Sequence, residues 1–462
     1  MRWSRRSFLA YSLPGSLLPL GGQAIEEFFD VYTEHPRLFL RPQRLRLLRR
    51  ERERRSLRWQ PFETLLAGRA RMPEAPFAQA LYYQVAGDKD IGREAVRSAL
   101  QPAFNDLRQL ALIFDWTQEI LQAAEVKTFA SKLQRGIEAA RAKPSIPAMR
   151  SRVLAAVSLA EHAPDLVRRE LETAVNEWWR KTIAPALKGG RNVAPRDETY
   201  PLFELLHAIR DNLQIDLRDP VPGFFKGLPI FHLLSYYPAT FPAPENEYRI
   251  PVSPVVGEPD LRRATLSRAA ELAMVAYDTN APESQVLQGW LMHDNFLMRG
   301  VYGIPYEFLW ANPYQPGLSY YHVPLVFHDD LFGRLLARST WDDNATWVGY
   351  ADNQLQIFRD GAPEIVDLKL RKVPIELPEA VIYAAESARQ FKIRLDKEQD
   401  LFIVGLKPRR RYEVEVDDEE MREELTDLGG ILPLTLAKEV EVGVRMREAA
   451  AASYKRSSIK PP

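Results

Sequence analysis

The chain has 462 residues, 46% of them hydrophobic, enough for two or three domains with cores of their own. Basic and acidic side chains both number 62, a balance that argues against a dedicated nucleic-acid binder or a polybasic membrane anchor, whose affinities come from clustered positive charge. With no cysteine, disulfides, thiolate catalysis and thiolate metal sites are excluded.

Ser4-Arg5-Arg6-Ser7-Phe8-Leu9 is similar to the twin-arginine export consensus. A moderately apolar stretch runs on to Leu20, too short and too broken by Pro14 and Pro19 to span a bilayer. Small residues ending at Ala24 then offer a cleavage point. Residues 1–24 are therefore read as a signal peptide, with the twin-arginine machinery as a partner and a periplasmic or secreted destination. Without them the chain carries 59 basic and 62 acidic groups. No later segment is long and apolar enough for stable membrane insertion.

From Arg41 to about Trp310 apolar residues recur at three- and four-residue spacing, with short Pro-, Gly- and Asp-rich breaks. Helices are expected over Arg41 to Leu57, Phe77 to Val85, Ile91 to Leu100 and Asp106 to Leu121, then Val153 to Ala160 and Leu166 to Trp179. Tyr200 to Leu213, Phe224 to Leu234, Leu261 to Tyr277 and Gln285 to Met292 continue the series. After about Leu331 the period falls to two. Short alternating runs such as Thr346 to Tyr350, Gln354 to Phe358 and Tyr412 to Val416 are separated by turn signals, Asp360-Gly361 among them. The expected organisation is a helical domain over 25–330, a β-sandwich of about eight strands over 331–448 and a flexible tail over 449–462.

Two stretches resemble the heparinase II/III-like superfamily of polysaccharide lyases: His35-Pro36-Arg37-Leu38-Phe39-Leu40, and Arg338-Ser339-Thr340-Trp341-Asp342, which is similar to that family's Arg-Ser-x-Trp-Asp segment. Phe114-Asp115-Trp116 and the Pro-rich Tyr237-Pro238-Ala239-Thr240-Phe241-Pro242 are weaker echoes in the same order. The resemblance implies an incomplete α/α toroid of helical hairpins followed by an antiparallel β-sandwich. It also implies β-elimination on a uronate-containing acidic polysaccharide. His322 and His328 with Asp329-Asp330 lack metal-ligand spacing and no His-Glu-x-x-His occurs, so neither a metal nor a cofactor is expected. Where the family carries Asn-His this chain has Met149-Arg150-Ser151-Arg152, and where its β-domain offers a His this chain has Ala351-Asp352-Asn353-Gln354. Its catalytic Tyr corresponds to Tyr200.

The candidate catalytic residues are thus Tyr200, His207 two helical turns further on, and His293 beside Asp294. Arg150 is a candidate to hold a carboxylate. Tyr236 and Tyr237 are candidates to stack on sugar, and Arg249, Asn295 and Arg299 are polar groups in loops, where sites tend to lie. Two alternatives stand beside the lyase: a non-catalytic glycan-binding scaffold, and a glycoside hydrolase drawing on Asp115, Asp197, Glu198 or Asp294. Nine arginines between Arg41 and Arg58 are interleaved with Glu51 and Glu53, so they read either as an ion-paired helix face or as an attractor of acidic polysaccharide. Trp341 is expected to be buried at the join of the two domains and outside any cleft.

The export reading has a direct check. Arg5→Lys combined with Arg6→Lys is expected to leave full-length precursor in the cytoplasm, because the machinery reads paired guanidinium groups rather than net charge. Fractionation showing a cleaved, exported double variant would remove that reading.

Overall fold

The computed structural model describes residues 29–241, 249–293, 297–385, 389–395, 397–417, 421–436 and 441–449. The expected signal segment lies outside them, as does the expected tail apart from Ala449. The helices are α1 (Pro42–Glu53), α2 (Trp59–Ala67), α3 (Ala75–Ala86), α4 (Lys89–Leu100), α5 (Leu107–Trp116), α6 (Ala123–Arg141) and α7 (Ile146–Ser158). They continue with α8 (Pro164–Glu172), α9 (Ala184–Lys188), α10 (Arg196–Leu213), α11 (Pro222–Leu234), α12 (Leu261–Tyr277), α13 (Pro282–His293) and α14 (Ile304–Trp310). Local chemistry sets their starts. The side chains of Asp88, Asp106, Ser145 and Asp260 accept from backbone N–H groups of the first turns of α4, α5, α7 and α12. None of these helices is long and apolar enough to cross a membrane.

Helices α3, α5, α7, α10, α12 and α14 pack in succession, and α14 returns onto α3, so they form a ring. Helices α4, α6, α8, α11 and α13 pack outside it. Burial follows that order. Every residue of α5 is buried, whereas on the outer helix α6 only Phe129, Leu133 and Ile137 are. The stretch His35-Pro36-Arg37-Leu38-Phe39-Leu40 leads into α1. The carboxylate of Asp115, 1% exposed, accepts from the backbone N–H groups of Arg37 (3.0 Å) and Leu38 (2.9 Å) and meets His35 Nδ1 at 2.6 Å. Trp116 Nε1 donates to the Leu38 carbonyl at 2.9 Å, and Arg37 pairs with Glu161 at 2.6 Å. The His35 to Leu40 stretch and Phe114-Asp115-Trp116, some eighty residues apart, are one clamp that fixes the chain ahead of α1 to α5.

The strands follow as β1 (Val326–Asp329), β2 (Arg334–Arg338), β3 (Trp347–Ala351), β4 (Gln354–Arg359), β5 (Ala362–Val366), β6 (Ile375–Glu376) and β7 (Ala380–Ala384). The rest are β8 (Gln390–Ile393), β9 (Gln399–Val404), β10 (Arg411–Val416), β11 (Arg422–Leu425), β12 (Leu432–Leu436) and β13 (Val442–Glu448). The α-then-β plan is as expected, but the β part is a stack of three sheets. They run β1-β2-β3-β4-β5, then β12-β9-β7-β6, then β11-β10-β13-β8. The middle sheet is covered on both faces. Ile382, Phe402 and Val404 meet the first sheet, while Val381, Tyr383, Leu401 and Ile403 meet the third. That is why Ala380–Ala384 is buried at every residue, and why the middle sheet tolerates the parallel pair β7–β9 in an otherwise antiparallel assembly.

The outer face of the first sheet lies on the ring. Leu336, Trp347 and Phe358 pack with Leu234, Tyr237, Ile250 and Ala264. Trp347 is 1% exposed, its Nε1 donates to the Leu234 carbonyl at 2.8 Å, and its ring lies over Gly349, where any Cβ would strike it. Trp341 departs from expectation. It touches the same seam through Val323 (3.3 Å) and Tyr320, yet it is only partly buried and lines a cavity there. It sits in the irregular stretch after β2 and not on a strand, so no second layer covers its outer face. The seam tryptophan is Trp347. Trp347→Ala is expected to destabilise the protein by about 3–5 kcal/mol, read as a shifted denaturant midpoint. An unchanged midpoint would mean that the two halves do not depend on this contact.

Candidate functional site

A buried ionic network occupies the middle of the ring. Glu204 of α10 is fully buried. Arg108 of α5 binds it through Nε (2.9 Å) and Nη2 (2.7 Å), and Arg150 of α7 pairs with its other oxygen. Tyr200 donates its hydroxyl to Glu204 at 2.8 Å and accepts from Trp310 Nε1 at 3.0 Å. Tyr306 of α14 donates to Glu74 at 2.5 Å, and Glu74 meets Arg108 at 3.3 Å. Burial pushes the Glu204 carboxyl up, but Arg108 and Arg150 outweigh it and hold it below its ordinary value.

This placement corrects three of the candidates. Tyr200 is 2% exposed, and burial together with Glu204 drives its phenol well above its ordinary pKa. It fastens α10 to α5 and α14 and faces no open site. Arg150 is neither a solvated side chain nor a carboxylate receptor, because Glu204 already occupies it. His207, 4% exposed, donates from Nε2 to the Ala273 carbonyl (2.9 Å) and lies against Trp310 and Tyr277. Burial, with Arg210 beside it, holds its imidazole neutral, well below the usual histidine range.

A second network stands behind the seam. Glu271 of α12, fully buried, accepts from Arg196 (2.9 Å) and from the Tyr236 hydroxyl (2.8 Å) and meets His232 Nδ1 at 3.2 Å. Arg196 also donates to Ser267 and Ser235, each at 2.6 Å. Tyr236 therefore turns its hydroxyl inward, while its ring lies against Trp290.

In front of that network is a cavity of about 500 Å³ between the ends of α11 and α13 and the end of β2, a size and position typical of ligand sites. It brings together Tyr236, Tyr237, Arg249 and His293 with Trp290, Tyr320, Tyr321, Arg338 and Trp341. Arg338 is 5% exposed, its Nε donates to the Thr340 carbonyl at 2.6 Å, and its guanidinium lies 4.4 Å from the Trp341 ring. Among the described residues it has no carboxylate at ion-pair distance. Burial lowers its pKa to about 10, and nearby Arg249 adds to the effect. Arg249 pairs with Asp343 at 2.9 Å and holds the Pro238 carbonyl. At the mouth, Tyr320 and Tyr321 stack at 4.5 Å, and His293 Nε2 lies 3.4 Å from the Tyr321 hydroxyl.

Arg299 is exposed and does not line this cavity; Asn295 and Asp294 lie outside the described residues, as do residues 245–248 of the loop before Arg249. Of the other carboxylates considered, Asp115 belongs to the clamp and Asp197 pairs with Arg263 at 2.6 Å. His328 meets Asp427 at 2.9 Å, and no cluster of three metal-ligating side chains occurs among the described residues. Sequence reasoning missed Arg338, Trp341, Tyr320 and Tyr321 as lining residues. The signal was present in Arg-Ser-x-Trp-Asp, which reads as a marker of fold until its Arg and Trp are seen to face a cavity.

No family model matches the chain, and no curated protein matches it. A solved structure described as "Glycoside hydrolase" aligns with it at a TM-score of 0.30 and 9% identity, over 81% of this chain and 72% of that one. A likeness of that degree fixes neither fold nor activity.

The buried histidines give the protein a pH dependence. Burial, with Arg196 beside it, lowers His232 from 6.5 to about 4. Between those values the unfolded chain takes up a proton that the folded chain refuses, so stability falls as pH drops from about 6.5 towards 4, by at most about 1.4 kcal/mol per pH unit for one group. His207 adds to the same slope. His232→Asn is expected to reduce the slope of unfolding free energy against pH over this window, whatever its effect at neutral pH. An unaltered slope would show that His232 is not the group responsible.

Proposed function

We propose that the protein is an exported polysaccharide lyase that binds a uronate-containing chain in the seam cavity and cleaves it by β-elimination. The observation that carries the reading is Arg338: a buried guanidinium, spread on Trp341 and without a carboxylate partner among the described residues, at the wall of an aromatic cavity. Such a group gains from an incoming carboxylate in a way that a solvated arginine does not. The aromatic rings of Trp341, Tyr320 and Tyr321 supply apolar faces for sugar.

In this mechanism Arg338 takes the uronate carboxylate and offsets the charge that develops beside it. His293 removes the proton from the carbon next to the carboxylate. That C–H electron pair forms the new double bond as the bond to the glycosidic oxygen breaks, and the leaving oxygen takes its proton from Tyr321. His293 and Tyr321 are the exposed acid–base pair at the mouth, which suits them to a substrate that arrives from solvent.

Turnover is followed by the absorbance of the unsaturated product on a panel of uronate polymers. Arg338→Ala is expected to lower kcat/KM about 10²–10³-fold, and His293→Ala about 10²–10⁴-fold. Binding without any unsaturated product on any polymer would leave a non-catalytic glycan-binding protein. Activity that survives both substitutions would place the chemistry elsewhere.

A further inference from the structure

A concavity larger than the one at the seam lies elsewhere in the molecule. A groove of about 820 Å³ lies between α1, the C-terminal halves of α10 and α12, and the end of α14. Arg196, at the start of α10, belongs to the network behind the seam, and Arg210, near the end of the same helix, lines the groove. The two places are therefore separated by about 20 Å along α10, at 1.5 Å per residue.

Five guanidinium groups line the groove, those of Arg41, Arg44, Arg46, Arg50 and Arg210, against the single carboxylate of Asp211. Asp211 is already held by Arg210 at 3.2 Å. Among the described residues, none of the other four has a carboxylate at ion-pair distance. The acids interleaved in α1 do not neutralise them: Glu51 turns inward to 3% exposure, and no ion pair joins it or Glu53 to these arginines. The arginines are held in place by other means. Arg44 donates to the Trp310 carbonyl at 3.2 Å and Arg41 to the Asp211 carbonyl at 2.5 Å. Arg41 lies over Tyr32 (4.2 Å) and Arg50 over Tyr314 (4.6 Å). Burial lowers Arg44 to about 10, and nearby Asp211 offsets this only in part. A chain of zero net formal charge thus gathers a strong local excess of positive charge in one concave place.

We propose that this groove is a second binding site, for a linear acidic polysaccharide bearing repeated carboxylate or sulfate groups, which it holds at a distance from the seam. Several fixed guanidinium groups suit evenly spaced anions, and aromatic rings beside them suit sugar faces. A concave groove fits a chain segment, whereas a flat bilayer surface is met by a protruding face. The polymer's uronate identity rests on the reading of the seam; the site itself does not. A long chain that engages both places gains avidity from the linkage alone.

The test measures binding of a size-fractionated polygalacturonate to the full-length mature protein at several salt concentrations. The exposed pair Arg46→Glu with Arg50→Glu is expected to weaken binding about tenfold or more and to flatten its salt dependence. The neutral pair Arg46→Gln with Arg50→Gln carries the same expectation in a smaller degree if the charge reversal unfolds the protein. Arg338→Ala separates the two sites. Loss of binding in Arg338→Ala with wild-type binding in the groove variants overturns the groove and leaves the seam. The reverse pattern upholds the groove and removes the seam reading. A wild-type protein that does not bind the polymer overturns both. Stronger binding to anionic phosphatidylglycerol vesicles than to the polymer, lost in the groove variants, overturns the saccharide in favour of a membrane surface.

Discussion

A carboxylate in the middle of a helical ring, out of reach of water, must be held by cations or be protonated. Glu204 is held by Arg108 and Arg150 from two other helices of the ring. Removing one partner from such an arrangement leaves a buried charge without compensation, at a cost of about 3–5 kcal/mol. The arrangement therefore fixes how α5, α7 and α10 meet. Through Tyr200 and Trp310 it also fixes α14, the short helix that returns the ring to α3. The same constraint decides what Tyr200 is for. Its hydroxyl is committed to Glu204 and Trp310, and its ring stands edge-on against Tyr306. Among the described residues the ring's centre is thus filled by side chains bonded to one another.

The seam and the groove differ in the way they hold charge. At the seam, a few groups face an aromatic cavity, where Arg338 is deeply buried and has no carboxylate at ion-pair distance among the described residues. The Glu271 network behind it, tied to Arg196 and Tyr236, gives the cavity a rigid back wall. In the groove, the arginines of α1 form a broad, open excess of positive charge. The first arrangement suits the orientation of one carboxylate and chemistry beside it. The second suits retention of a long polyanion, because many weak contacts in water add up to binding without fixing any one sugar.

The motif residues divide along the same lines. His35, Arg37, Asp115 and Trp116 look functional in a list of residues, being polar or aromatic and clustered. In the fold they face the interior, where Asp115 and Trp116 tie the first extended segment to α5 and Arg37 pairs with Glu161. Arg338 and Trp341 belong to a motif of similar length, yet their polar and aromatic faces remain turned to a cavity. The two motifs differ in what they face, one the interior of the helical part and the other a cavity.

By itself, the sequence determined the change from a period of 3.6 to a period of 2 after about Leu331, and with it the order of helices and strands. It also determined where many helices begin, because caps such as Asp88, Asp106 and Ser145 act on neighbours a few residues away. The density of arginine in α1 was equally plain. The tertiary structure decided which polar groups are consumed. Arg108 and Glu204 are 96 residues apart in sequence and Trp310 and Tyr200 are 110 apart, so no local pattern announces that these pairs are closed. It decided that the β part has a third sheet and a parallel pair, since β7 and β9 meet only through a crossover. It decided that Trp347 and not Trp341 is the buried seam residue. Burial is a property of what comes to lie against a side chain, and those neighbours are supplied by distant parts of the chain.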